Sequence, residues 1–504
     1  MLMITGEAAL SFVHVAQSNG SGGQSSDSET CLEPAEDRQG LSASDAAPEG
    51  AGWSATPQSL TNLASPSPST AGTAATLRRH SSSSNGWLSV GHEPLDASPD
   101  RAHDSSSVLE YSTSRAPGLP PHSPPRKSDT VGWLYRDPPI WPLEDEEDAT
   151  LLQHFISQVA LLFDFCDKDR HFATVVPQRA RTCSTLLSAV LSVAARHLSL
   201  IGDIEPAVAG RHYDKCLQGL IPALNDKDAV LDETLLIIVV ILRLLEEFEV
   251  PIVGSDNQGH LVGAQSLIRL QGQVEVASSL HQAAYWACLR QEIYMSLRDR
   301  RGIRLDLAPF RTFQAVQPGG RYSLSSAATL HCAETIAYTQ GYDSPQLLPT
   351  YEELVSENKR IRMHKDATPF YYRARGSDFP DQRYETEDQI IATQYSTLAR
   401  ILLELHPAVP PQTEHARRLA THRINENVRQ HVWTMCGVGI SNTNSPAALL
   451  IACMGTTLAV DCFDTQGDLE RLGGFLDLTE RTRGWPTASI GILLRRRQDE
   501  IKDA

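Results

Sequence analysis

Tyr285-Trp-Ala-Cys-Leu-Arg-Gln-Glu-Ile-Tyr-Met-Ser-Leu297 is the stretch on which the reading of this chain turns. Leu289, Ile293 and Leu297 recur every four residues with Trp286 on the same side. That spacing predicts an amphipathic helix whose apolar stripe buries against other helices. Arg290, Gln291 and Glu292 interrupt the stripe as one polar block.

The same period recurs on both sides. Upstream, an acidic run over 144–148 stands where negative charge suits a helix start, followed by Leu151, Leu152, Phe155, Ile156, Val159, Leu162 and Phe163 at helical spacing. Leu186, Leu187, Val190, Leu191 and Ala194 share one side of a helix expected over 184–200. Pro206 is placed to open the next, which carries Tyr213, Cys216, Leu217 and Leu220. Asp232 suits the N-cap of a helix over 233–248, with Pro251 beyond its end, and another helix over 260–270 stops at Gln271 and Gly272. Residues 300–385 are broken by prolines and glycines, leaving short helices expected over 327–339 and 350–365. Long helices resume over 386–405, 413–435, 447–463, 468–483 and 487–501. No stretch alternates as a sheet strand would, and no fixed period marks a solenoid. The fold expected over 131–504 is therefore all-α, one large multi-helix body. Its entry is an extended segment in which Trp133, Tyr135, Ile140 and Trp141 alternate with Pro138, Pro139 and Pro142.

Residues 1–130 read differently. They hold 26 serines and four aromatics, Phe12, Trp53, Trp87 and Tyr111. Such text buries too little apolar surface to offset the entropy of ordering, so a disordered Ser/Pro/Gly/Ala-rich arm is expected. Arg78 and Arg79 precede the serine run 81–84, where phosphate on Ser81 would meet two guanidinium groups. Ser-Pro pairs begin at Ser65, Ser67, Ser98 and Ser123, as they do by chance in such linkers, and Arg78-Arg79 and Arg126-Lys127 are too short to be nuclear-import signals.

The whole chain has 504 residues and a net charge of -17, against a broad electrostatic footprint for nucleic acid. Its nine cysteines include no Cys-x-x-Cys pair, which fits a reducing compartment. The first 15 residues lack a basic n-region and carry Glu7 and His14, so no secretory signal is read there. The apolar run 229–245 contains Asp232, Glu233 and Arg243 and reads as a buried helix; no membrane association is expected.

The helices also have a characteristic wording. The segment Asp164-Phe-Cys-Asp-Lys-Asp-Arg-His-Phe-Ala-Thr-Val-Val-Pro177 is followed by Ala195-Arg-His-Leu-Ser199 and by Asp232-Glu-Thr-Leu-Leu236 leading to Leu244-Leu-Glu-Glu-Phe248. Then come Gly263-Ala-Gln-Ser-Leu-Ile-Arg-Leu-Gln-Gly272, the stretch 286–297 and Gly484-Trp-Pro-Thr487. Taken in order over roughly 140–500, these resemble the regulatory, middle homology domain of fungal zinc-cluster transcription factors. The resemblance implies a modular nuclear regulator in which a six-cysteine, two-zinc module reads DNA and an all-α region modulates activity. Here Cys31 is the sole cysteine before Cys166, and one thiol cannot hold such a cluster. No zinc or other cofactor is expected in this chain, and specific binding to duplex DNA by the chain itself is not expected.

Asp164, Asp167 and Asp169 resemble the metal-binding aspartates of helical terpene cyclases, but Lys168, Arg170 and His171 interleave them as at a solvated helix end, and no second metal motif follows. His154, His171 and His197 lack ligand spacing, and Gly437-Val-Gly-Ile-Ser441 is neither a dinucleotide fingerprint nor a nucleophile elbow. Arg290 reads as an anion anchor for an effector or as half of an interhelical ion pair, the second favoured because a buried guanidinium needs a partner. No catalytic, cofactor-binding or metal residue is assigned, and no enzyme activity is expected. The function expected is transcription regulation of RNA polymerase II genes in the nucleus. The partners expected are transcription machinery or other regulators, promoter DNA reached through a missing N-terminal module or a partner, a small-molecule effector, and a second copy as homodimer. The alternatives are a DNA-independent co-regulator and a terpene-cyclase-like helical enzyme.

Overall fold

The computed structural model describes residues 129–503, apart from short stretches at 136–137, 203, 254–255, 257, 272–277, 316–322, 343–347, 377 and 410–411, together with the backbone of 2–5 and 9–12. The expected arm, with its serine and arginine features, otherwise lies outside the described residues. Fifteen α-helices dominate them, so the all-α class holds.

Most helix starts follow from capping chemistry. α1 (Glu146–His154) begins where the Asp145 side chain accepts from Glu147 N at 2.8 Å, with Glu146, Glu147 and Asp148 in its first turn. α2 is His171–Ala180, and α3 (Ser184–Ile201) ends on Gly202 at φ +99°, a left-handed C-cap that glycine adopts without strain. α4 (Ala207–Leu224) follows Pro206, and α5 (Glu233–Val253) starts where Asp232 accepts from Thr234 N at 2.8 Å. α6 is Gly259–Gln271, and α7 (Ser279–Asp299) is capped by Ser278. α8 (Ala308–Ala315) and α9 (Leu324–Gln340) precede α10 (Tyr351–Arg362) and α11 (Glu387–Leu405), the latter two opened by capping boxes, Thr350 with Glu353 and Thr386 with Gln389. α12 (Glu414–Ser441), α13 (Pro446–Ala459), α14 (Gln466–Arg483) and α15 (Ala488–Asp503) complete the order.

One contiguous apolar core runs from Leu134 to Leu494. α3 packs on α4, α5 and α14; α5 packs on α6 and α7; α9 lies along α11, which meets α12 and α13. α7 sits at the middle, against α5 and α6 on one flank and α9 and α13 on the other. Sixteen of its twenty-one residues are buried, including Arg290, Gln291 and Glu292. The expected amphipathic helix is thus a fully interior one, and its polar block faces protein. Trp286 is 4% exposed and meets Phe310 edge-on at 5.1 Å. Trp485, from the quoted Gly-Trp-Pro-Thr segment, is 1% exposed and stands edge-on to Phe248 of α5 at 6.0 Å and Tyr294 of α7 at 5.3 Å. That ring joins the end of the chain to its centre.

Several expectations are corrected. The apolar run 151–163 is not one helix: after α1 it passes through a π turn, Phe155–Val159, and 3-10 turns, Ala160–Leu162 and Asp164–Cys166. Phe155, Val159, Leu162 and Phe163 still turn inward, as their helical spacing implies, and the 3-10 turns bring Phe165 inward as well. α5 runs on past Pro251, and α8 is a further short helix in the 300–385 region, outside the two ranges named for it. Two antiparallel hairpins occur, β1 (Leu2–Thr5) with β2 (Ala9–Phe12) and β3 (Tyr371–Arg375) with β4 (Asp378–Arg383). β3 and β4 turn over Gly376 at φ +60°. Tyr371 to Ala374 of β3 are all exposed, so the strand carries no inside–outside alternation in the sequence. Among the described residues one helix, α3, is long and apolar enough to cross a membrane, and twelve of its eighteen residues are buried in the core.

The segment expected to be extended over 133–142 instead begins in a 3-10 turn, Asp129–Leu134, and beyond it Tyr135, Ile140 and Trp141 pack against the core. Tyr135 donates its hydroxyl to Asp232 at 2.7 Å, Ile140 N donates to Arg181 O at 2.7 Å, and Arg181 stacks over Trp141. Trp133 itself is exposed.

Candidate functional site

The polar block of α7 joins a buried charge network that α5 and α6 complete. Arg290 donates through Nη2 to Glu247 of α5 at 2.9 Å. Gln291 donates to the Val240 carbonyl of α5 at 2.9 Å. Glu292 accepts from Gln265 of α6 at 2.8 Å, from both Arg301 Nη1 and Nη2 at 2.7 and 3.0 Å, and from Arg304 N at 2.7 Å. Above Glu247 stands Arg243, wholly buried, which grips Asp256 with two bonds of 2.7 and 2.8 Å and donates to Glu246 at 2.9 Å. Arg298 donates to the same Asp256 at 2.8 Å.

Four guanidinium groups thus meet four carboxylates, the balance that keeps buried charge tolerable. Burial alone would push the Asp256 carboxyl up; the Arg243 guanidinium, aided by Gln258 N–H and Arg298, more than reverses this and holds it below its ordinary range. At Glu246 burial is likewise overcome, by His260 and Arg243, leaving it down at about 2. Of the two readings of Arg290, the interhelical ion pair is the one observed. The sequence does not signal these partners: Asp256 and Arg301 lie in connecting segments, and Arg298 stands at the end of α7, so only tertiary packing brings them together.

Arg298 has a second face. It borders a cavity of about 230 Å³ between α7, α13 and α15. Leu297, Met454 and Leu493 form apolar wall there, and Arg298, Thr457 and Ser489 supply polar edge. No carboxylate lines it. The cavity suits a small, mostly apolar molecule with one polar or anionic end, and such a guest would touch the residue that holds Asp256.

Two of the three aspartates, Asp164 and Asp167, serve the start of α2. Asp164 accepts from Phe172 N at 2.9 Å and Ala173 N at 3.0 Å, and burial pushes its carboxyl up to about 7 while those donors pull the other way. Asp167 accepts from His171 N and Nδ1, each at 2.7 Å, and that bond raises the His171 imidazolium above its ordinary value. Ligand atoms of Asp167, Asp169 and His171 come within 4.8 Å of one another, yet Asp167 already meets donors of the chain. Asp164 and Asp167 are directed at a helix end and line no part of the cavity described, so the terpene-cyclase alternative gains no observation here.

Of the three histidines, the structure brings two together. His154 and His197 stack with ring centroids 5.0 Å apart, and His154 Nε2 lies 2.8 Å from His197 Nδ1. His197 Nε2 is 3.0 Å from the Arg483 carbonyl, which can only accept, so Nε2 carries the proton and Nδ1 accepts from His154. Burial first, then the neighbouring His154, lowers His197 to about 4. Its folded value lies below its unfolded one, so the unfolded chain binds a proton first. The associated stability is complete above pH ~6.5 and is lost as pH falls toward ~4, reaching roughly 2 kcal/mol by pH ~5. Urea unfolding at pH ~7.5 and ~5 is expected to show His197→Gln losing less stability over that interval than the parent by about that amount. Equal losses would remove His197 from the acid response.

Gly437 and Gly439 prove to be packing residues. A Cβ at Gly437 would sit 2.1 Å from the Pro380 carbonyl of β4, and one at Gly439 would press on Leu449 of α13. The glycines let α12 close on both neighbours. Among the described residues eight cysteines are buried and free, and none forms a disulfide.

Residues 150–300 match a family model described as Fungal specific transcription factor domain. No curated protein and no solved structure matches the chain. The matched span runs from within α1 to just beyond α7, and so takes in the charge network except for Arg301 and Arg304.

Proposed function

From a chain whose residues 150–300 carry the fungal specific transcription factor domain, we propose a non-enzymatic, nuclear regulator of RNA polymerase II transcription whose helical body is the regulatory module. The family match is the single observation that carries this reading. Direct DNA recognition is assigned to a partner or to a separate zinc-cluster module, because the chain offers one cysteine before Cys166. Residues 1–130 contact transcription machinery or other regulators.

The regulatory step is a shift between helix packings, and a ligand can drive it only by binding one packing better than the other. The cavity beside Arg298 is where such a preference would arise. A guest with an anionic end competes with Asp256 for Arg298 and so acts on the α5–α6–α7 junction.

The test is a tethering assay. The full chain, fused to an unrelated DNA-binding domain, is placed upstream of a reporter gene in a fungal host. Reporter output is expected to depart from that of the DNA-binding domain alone, upward for an activator and downward for a repressor. Unchanged output with the fusion present in the nucleus would overturn the proposal. Exclusion of the tagged chain from the nucleus would overturn its placement there.

A further inference from the structure

The hairpin β3–β4 has two unlike edges. Along β4, Gln382 N donates to Ser441 Oγ at 3.3 Å, Asn442 Nδ2 donates to Gln382 O at 2.8 Å, and Tyr384 N donates to Asn442 Oδ1 at 3.2 Å. The end of α12 therefore closes that edge. Gln382 sits opposite Tyr372. In an antiparallel pair, residues that turn their backbone groups outward do so together. Since Gln382 turns its N–H and C=O to α12, Tyr372 turns its own to the opposite edge. Among the described residues no strand pairs there.

The surface around that edge is apolar and cationic. Tyr372 is 60% exposed, Phe370 63% and Met363 72%. From 365 to 375, the hairpin's first strand and its approach, the chain has three Lys/Arg residues, at 365, 373 and 375, against one acid, Asp366, in a protein whose net charge is -17. Lys365 and Arg373 are exposed. An open edge normally invites a second copy, and like charge facing like charge guards against that pairing. The same charge selects an opposite partner.

We propose that β3 is a docking edge for an extended acidic peptide of a partner protein, which pairs with it as a third strand. The backbone of Tyr372 supplies the pairing bonds, Arg373 and Lys365 meet the acidic side chains, and Phe370 and Tyr372 cover the apolar ones. A strand is favoured over single-stranded nucleic acid because the open groups lie in the plane of the sheet, where a peptide backbone answers both donor and acceptor. The surface stands on its own geometry and does not depend on the regulatory role.

The experiment is fluorescence anisotropy with the full chain and three labelled probes: a short peptide alternating glutamate with valine and threonine, the same peptide N-methylated at alternate amides, and an oligothymidylate of similar length. The first probe is expected to bind, with N-methylation weakening it on the order of tenfold or more, about 1.4 kcal/mol per tenfold. Tyr372→Pro removes an N–H that the hairpin does not use, so it should weaken binding beyond Tyr372→Ala while the unfolding midpoint stays that of the alanine variant. Arg373→Glu should weaken binding even if the proline variant fails to fold. Equal binding of the methylated and unmethylated peptides, an unaffected Arg373→Glu, or failure of the first peptide to bind overturns the proposal. Oligothymidylate bound in preference to the peptide overturns it in favour of a nucleic-acid surface.

Discussion

Glu247→Ala is expected to lower the free energy of unfolding by about 3–5 kcal/mol. The carboxylate is fully buried between Arg290, 2.9 Å away, and Arg243, 3.6 Å away. Removing it leaves Arg290 without that carboxylate in the centre of the core, while Arg243 keeps Glu246 and Asp256. The cost is therefore that of an uncompensated charge, larger than the net worth of the ion pair. This distinguishes two variants. Glu247→Leu combined with Arg290→Met removes both charges and should recover most of the loss, because apolar replacements of similar volume are often neutral. Urea midpoints of parent, single and double variants decide the matter. A single variant within about 0.5 kcal/mol of the parent would show that the pair is not buried as described.

Trp286→Ala should be of similar size, about 3–5 kcal/mol, for a different reason. Its ring is 4% exposed and packs on Phe310, so truncation opens a cavity among α7, α8 and their neighbours. Trp133→Ala is the matched control, since that ring is 50% exposed and should change stability by no more than about 0.5 kcal/mol. Thermal or urea unfolding of the two variants side by side is the measurement. Equal effects would contradict the interior placement of α7.

The two variants also mark what could be read from sequence. Leu289, Ile293, Leu297 and Trp286 announced a buried helical stripe, and Asp232, Pro206 and the acidic run near 146 announced helix starts, because capping and periodicity are local. The interior placement of Arg290, Gln291 and Glu292 was not local. A polar triplet reads the same whether it faces water or a partner helix, and the partners lie 43 residues away from Arg290 at Glu247 and 27 from Glu292 at Gln265. The hairpin β3–β4 was missed for the opposite reason: its outer strand buries almost nothing, so it leaves no apolar pattern. The meeting of His154 with His197 depends on α1 and α3 lying together, which spacing alone does not say. The cavity beside Arg298 needs α7, α13 and α15 at once, and no motif connects them.

The matched span ends at residue 300, but the flank of α7 that carries Trp286 is covered by Phe310 of α8, and α9 and α13 pack along the rest. The recognisable signature and the cooperative unit are therefore different objects. A gene fragment cut to the signature would present the innermost helix of this protein to solvent, with Trp286 and its apolar neighbours uncovered. Working fragments for crystallisation or two-hybrid screening should keep α8 through α15, and a deletion series stopping near 300 would report aggregation rather than the loss of a regulatory function.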